Sequence, residues 1–95
     1  MFSIYRSQEA LTSLRQTWEN GDAAFRDRIV QATLDMDQLL SKEPSEQGEA
    51  REGRARVLLH APVGILFEVD DDRKLVRILR TWTYTRVADR GNRSW

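Results

Sequence analysis

The sequence predicts an α+β fold in β-α-α-β-β-β order: a short N-terminal strand, an α-helical hairpin, then a three-stranded antiparallel sheet. Three observations carry this prediction. Apolar residues recur at three- and four-residue spacing as far as Leu40, and at two-residue spacing from Arg54 onward. A polar stretch broken by Pro44 and Gly48 separates the two regimes. At 95 residues the chain is long enough for one core and too short for two, so both regimes belong to one domain. The predicted domain spans residues 1–86, with 87–95 as a polar, flexible C-terminal tail.

Phe2-Ser3-Ile4-Tyr5 alternates apolar and polar residues as a short strand does. Ser7 is placed to cap a helix running to about Glu19, in which Ala10, Leu11, Leu14 and Trp18 share helical spacing. Asn20-Gly21-Asp22 then stops one helix and starts another, with Gly21 expected in the left-handed conformation and Asp22 as the next cap. Phe25, Ile29, Ala32, Met36, Leu39 and Leu40 form the stripe of the second helix. The turn is short enough to make an αα-hairpin. Residues 41–53 read as a mobile linker. Arg54–Ala61 and Val63–Val69 alternate as strands on either side of a bend at Pro62. Asp70-Asp71-Asp72 is a polar turn, and Lys74–Trp82 forms the last strand.

Composition removes several function classes. There are no cysteines, which excludes disulfide frameworks, thiolate metal sites and thiol catalysis. One histidine without cysteine supplies a transition-metal site poorly, and no phosphate loop or nucleophile–base motif is present. No cofactor is expected. The start turns polar within five residues and no apolar run approaches the roughly 20 residues that span a bilayer, so a cytoplasmic protein without membrane contact is expected. The zero net charge is uneven. Residues 1–50 carry five basic and nine acidic side chains, and residues 51–95 carry ten basic and six acidic. A basic half attracts a polyanion or an acidic protein segment, although such charges also serve simply to solvate a surface.

Alternation divides the sheet into two faces. Val57, Leu59, Val63, Ile65, Phe67, Val69, Val76 and Ile78 are expected against the helices. Arg54, Arg56, Leu58, His60, Gly64, Leu66, Glu68, Arg77, Leu79 and Thr81 are expected on the open face. There, Leu58, Leu66 and Leu79 are predicted to form one apolar patch rimmed by Arg56, Glu68 and Arg77. A patch of that kind suits a homodimer contact or a partner strand or helix.

The pattern Pro44-x-x-x-Gly48-Glu49-x-Arg51-x-x-x-x-Arg56-Val57-Leu58 follows the second helix. After it come Gly64-Ile65-Leu66-Phe67-Glu68-Val69-Asp70 and Leu75-Val76-Arg77-Ile78-Leu79. In this order and with these elements the chain resembles the RelE/ParE superfamily of toxins from bacterial type II toxin–antitoxin systems, over about residues 2–86. The resemblance implies a toxin-like component that acts on translation by mRNA cleavage, or on DNA gyrase. It also implies an antitoxin protein as partner, and the ribosome with its mRNA, or gyrase, as target. The mRNA-cutting members are similar to one another in a basic set that commonly includes a third-strand arginine. Gly64 or Ile65 stands at that place here, and the gyrase-inhibiting branch needs no catalytic set. The alternative is a non-catalytic module of the same fold that dimerises or binds a protein segment.

If the chain cuts RNA, it is expected to do so as a metal-independent endoribonuclease using the substrate's own 2′-hydroxyl. That reaction needs a base, a cation for the phosphate and an acid for the leaving oxygen. His60 is the only side chain with an ordinary pKa near neutrality. With Arg56 and Arg77 it forms the candidate catalytic set, although a lone histidine beside a proline turn is more often structural. Arg54 and Arg80 are candidate phosphate contacts, and Tyr84 or Arg86 candidates near the leaving group. Glu68 is read as the cross-strand ion-pair partner of Arg56 or Arg77. Trp18 and Trp82 are read as core, and Trp95 as a tail residue able to anchor a partner. Three aspartates in a row suit a turn better than a metal.

Overall fold

A computed structural model of the chain describes residues 1–84. Arg86, Trp95 and the tail 87–95 lie outside the described residues. The elements are β1 (Ser3–Arg6), α1 (Gln8–Asn20), α2 (Ala23–Lys42), a 3-10 turn (Pro44–Glu46), β2 (Glu49–Ala50), β3 (Ala55–His60), β4 (Val63–Asp70) and β5 (Leu75–Thr83). The fold is α+β, with the α1–α2 hairpin on one face of a mixed five-stranded sheet ordered β1-β5-β4-β3-β2. The β1 strand runs parallel to β5 and the remaining pairs are antiparallel.

Local chemistry sets the helix ends. The Ser7 hydroxyl accepts from the Ala10 amide at 3.0 Å and donates to the Leu79 carbonyl at 2.8 Å, so it both caps α1 and ties it to β5. The Asp22 carboxylate accepts from the Phe25 amide at 2.8 Å and caps α2. Gly21 is not left-handed as expected; its backbone is extended at φ −89°. Glycine is favoured there for space, because a Cβ would lie 2.7 Å from the Phe25 ring. The Arg26 guanidinium clasps the hairpin. It donates to the carbonyls of Trp18 at 2.7 Å and Glu19 at 2.9 Å and stacks on the Trp18 ring at 4.4 Å.

The predicted linker is instead ordered. The α2 helix continues to Lys42, Pro44 is buried, and β2 adds a strand beyond β3. Gly48 adopts φ +69°, and a Cβ there would collide with the Val57 carbonyl, so only glycine lets the chain turn this tightly into β2. The Arg56 side chain holds the turn from the neighbouring strand β3, donating to the Gln47 carbonyl at 2.8 Å and the Gly48 carbonyl at 3.1 Å. A polar composition hid a segment whose backbone groups are satisfied by β3 and by one arginine.

The core joins Ala10, Ile29, Ala32, Met36 and Leu40 of the helices to Val63, Ile65, Phe67, Val76 and Ile78 of the sheet. Phe25 packs against its edge, whereas Leu39 is exposed. In the 70–75 turn the Asp70 carboxylate accepts from the Arg73 amide at 3.1 Å, so these aspartates shape a hairpin as expected.

Two departures from strict alternation reassign the sheet faces. His60 pairs with Val63 across the two residues Ala61 and Pro62, and this sets Leu58 opposite Ile65 and Arg56 opposite Phe67. Directly opposed residues share a face. Arg56, Leu58 and His60 therefore lie on the helix side, and Val57 and Leu59 on the open side, the reverse of the expectation for β3. Leu58 packs against the core and Leu59 is exposed. The β4–β5 register shifts between Leu66 and Phe67, leaving Leu79 as the extra residue of a bulge. Beyond the bulge Thr81 turns inward and is buried, and Trp82, expected in the core, emerges opposite Gly64.

Candidate functional site

The open face is built in rows across the strands. The first is Leu59–Gly64–Trp82 and the second Val57–Leu66–Arg80. The third is Ala55–Glu68–Arg77–Tyr5. One end is thus apolar and aromatic and the other charged. Trp82 lies flat over Gly64, where a Cβ would stand 2.6 Å from ring atoms Cε2 and Nε1. A glycine between two large residues lets the indole cross the strand toward Leu59. Leu59 is 55% exposed and Tyr5 57%. The predicted patch is corrected accordingly: Leu58 leaves it, Leu66 remains, and Val57, Leu59 and Trp82 enter it.

The expected catalytic set does not assemble. Arg56 registers on the helix side, where its guanidinium is occupied by the Gln47 and Gly48 carbonyls. His60 is on the same side, with Nε2 3.0 Å from the Asp35 Oδ2 of α2. That hydrogen bond, and a second from Gln31 at 2.8 Å, hold the Asp35 carboxyl below its ordinary 3.8. Arg77 stands on the open face opposite Glu68, whereas His60 pairs with Val63 at the other end of β4. At about 3.3 Å per residue and 4.8 Å per strand, the His60 and Arg77 backbones are on the order of 20 Å apart.

The remaining candidates are dispersed. Arg77 reaches Asp70 at 3.7 Å rather than Glu68, which corrects the predicted cross-strand ion pair. Arg80 pairs with Glu9 of α1 at 3.4 Å, and Arg54 donates to the Val69 carbonyl at 3.3 Å. Tyr84 continues from β5, its amide bonded to the Pro62 carbonyl at 2.9 Å. Among the described residues no group of three or more His, Cys, Asp or Glu side chains is placed to hold a metal ion. None of the described helices is long and apolar enough to cross a membrane.

A second surface was missed by reading each helix for one stripe. On the outer side of the hairpin a cleft of about 410 Å³ runs between α1 and α2, lined by Leu11, Leu14, Arg15, Trp18, Val30 and Leu34 among others. Leu11, Trp18, Val30 and Leu34 are between 40% and 54% exposed. Val30 and Leu34, one turn apart and off the core stripe, were the available signal.

No family model and no curated protein sequence matches the chain. Solved structures do. A chain of the chromosomal ParDE toxin–antitoxin system from P. aeruginosa superimposes with TM-score 0.68 at 19% identity, covering 90% of this chain and 98% of that one. A chain of the RelBE2 toxin–antitoxin complex from Mycobacterium tuberculosis gives 0.65 at 21% identity, over 86% and 96%. The isolated E. coli RelE toxin gives 0.57 at 9% identity, over 97% and 96%. The fold is that of RelE and ParE toxins, along nearly the whole chain.

Proposed function

We propose that this chain, with the fold of RelE and ParE toxins, is the toxin-like member of a type II toxin–antitoxin pair and acts by binding a protein target rather than by cutting RNA. The observation that carries this reading is the separation of Arg56 and His60 from Arg77. General acid–base cleavage needs a base, a phosphate-holding cation and an acid converging on one phosphate. Here two members of the set are engaged on the helix side, and the third stands on the opposite face. The open face offers an exposed aromatic–aliphatic end beside a charged end, a combination that suits a protein surface. A gyrase-type target, which needs no catalytic set, fits this arrangement better than ribosome-bound mRNA. The structures of the same fold come from toxin–antitoxin systems, one of them a RelBE2 toxin–antitoxin complex. An antitoxin is accordingly the expected neutralising partner.

Induction of the gene alone tests the reading. Growth should arrest and be relieved by co-expressing the neighbouring antitoxin gene. Arrest should persist in His60→Gln and be lost in Leu66→Glu. Transcripts freshly cut within ribosome-bound mRNA, absent from His60→Gln, would instead restore the nuclease. Harmless high expression would leave a non-toxic interaction module.

A further inference from the structure

We infer that the open face of the sheet pairs with the open face of a second copy of this chain, about a two-fold axis parallel to the strands. The observation behind this is the second row read to its full width. Glu49 of β2 registers opposite Val57, so the row runs Glu49–Val57–Leu66–Arg80 across four strands. Opposite charges stand at its two ends, with two aliphatic side chains between them. Such a row is complementary to its own reverse. A two-fold axis lying between two faces and parallel to the strands sets each row against its own copy and reverses the order across it. With the axis between β3 and β4, Glu49 meets Arg80 of the second copy and Val57 meets its Leu66. Both contacts then occur twice.

The first row obeys the same symmetry. The Trp82 indole lies over Gly64, at the β4 position, and Leu59 protrudes from β3 beside it. About that axis β3 faces β4 of the second copy, so Leu59 of each chain lands on the indole of the other. Two side chains that are exposed in the single chain are thereby taken out of water. The charged ends are available for the exchange. Among the described residues Glu49 reaches only Arg51 and Arg80 only Glu9, each at 3.4 Å, with all four side chains about half exposed or more. Exposed pairs of that kind hold little energy and give way readily.

The size of the face sets the strength. Five strands about 4.8 Å apart and the eight residues of β4 at about 3.3 Å each give a face on the order of 600 Å². That is below the roughly 800 Å² per partner of a standard stable interface, so the pairing is reversible and micromolar. In the dimer the face proposed to engage a target is covered, so pairing and target binding compete for one surface. Only this last step rests on the proposed reading. Association is measured on the purified chain and growth arrest in cells, so either can fail without the other.

Sedimentation equilibrium of the purified full chain should show a monomer–dimer equilibrium in the micromolar range. Glu49→Arg alone and Arg80→Glu alone should each weaken it about tenfold or more, since each sets like charges together at both ends of the row. Joining the two substitutions in one chain should restore association. Mixing the two single variants should restore it as well, because each then supplies the charge that the other lacks, as only a reciprocal contact allows. Leu59→Glu, at a side chain already 55% exposed, should abolish association without unfolding the domain. Val30→Glu, on the outer side of the helices, should leave it unchanged. Single variants that associate like wild type, or a double variant or mixture no better than the singles, would overturn the assignment. So would a wild-type chain that stays monomeric throughout the range, which would leave the face to the target alone.

Discussion

On the helix side of the sheet, polar groups of β3 serve the protein's own architecture. Arg56 satisfies two carbonyls of the turn into β2, and His60 joins β3 to Asp35 of α2. On the open side, Arg77 and Arg80 make only longer contacts, at 3.7 and 3.4 Å, with Asp70 and Glu9, the latter pair well exposed. Exposed ion pairs of that kind contribute little to stability. Arginines that look alike in sequence therefore differ in availability: Arg56 holds the fold, while Arg77 and Arg80 face whatever approaches the sheet. The same contrast holds for bulky side chains. Phe67 is fully buried against the hairpin, whereas Leu59 is 55% exposed on the open face.

The largest expected effect tests that last contrast. Phe67→Ala should lower unfolding free energy by about 3–5 kcal/mol, from lost burial plus the cavity left behind. Leu59→Ala should lie within roughly 0.5 kcal/mol of wild type, as surface changes do. Urea denaturation of both variants checks the pair. Equal losses would remove the face assignment of β3 and β4.

Arg56→Ala comes next, at about 1–2 kcal/mol for two lost hydrogen bonds. Its signature should be local, with faster amide exchange at residues 47–50 and little change in β4. Arg77→Ala should leave that exchange pattern untouched. Exchange that quickens equally in both variants would mean that Arg56 is no clamp on the turn.

Gly64→Ala should have a smaller effect on stability but a visible optical one. The new methyl would displace the Trp82 ring rather than backbone, so the cost is set by how far the indole swings away. In a background lacking the other tryptophans, Trp82 emission should shift to the red as the ring leaves the sheet. Unchanged emission would mean that the ring does not rest on that glycine.

Much of the fold was legible because its signals are local. Ser7 and Asp22 act as caps where a hydroxyl and a carboxylate precede apolar periodicity, and the change from helical to two-residue spacing marks the hairpin-to-sheet boundary. The candidate site was less legible because it depends on counting across turns. Pairing His60 with Val63 over a two-residue turn reverses the faces of β3 relative to simple alternation, and the Leu79 bulge reverses those of Thr81 and Trp82. Neither event changes composition. The order of residues 43–50 was invisible for a different reason, since it depends on pairing with β3 and on Arg56 of that strand reaching the turn.

The smallest expected effect concerns the titratable contact between β3 and α2. Asp35 is a carboxylate held below 3.8 by hydrogen bonds from His60 and then Gln31. A carboxyl whose folded pKa is depressed contributes stability that is fully present above its unfolded pKa and is lost as pH falls through the folded value. Wild type should therefore lose a small increment of melting temperature on acidification below about pH 4 that Asp35→Asn does not lose. Both the Asp35 and His60 side chains are about 40% exposed, so the difference should shrink further in high salt. His60→Gln should flatten the same region of the curve, because His60 is the first cause of the depression. It should leave the open face, and therefore growth arrest, unaltered. Parallel acid curves for wild type and Asp35→Asn would show that the α2–β3 contact carries no pH-dependent stability. Lost arrest in His60→Gln with unchanged acid stability would return His60 to a functional role.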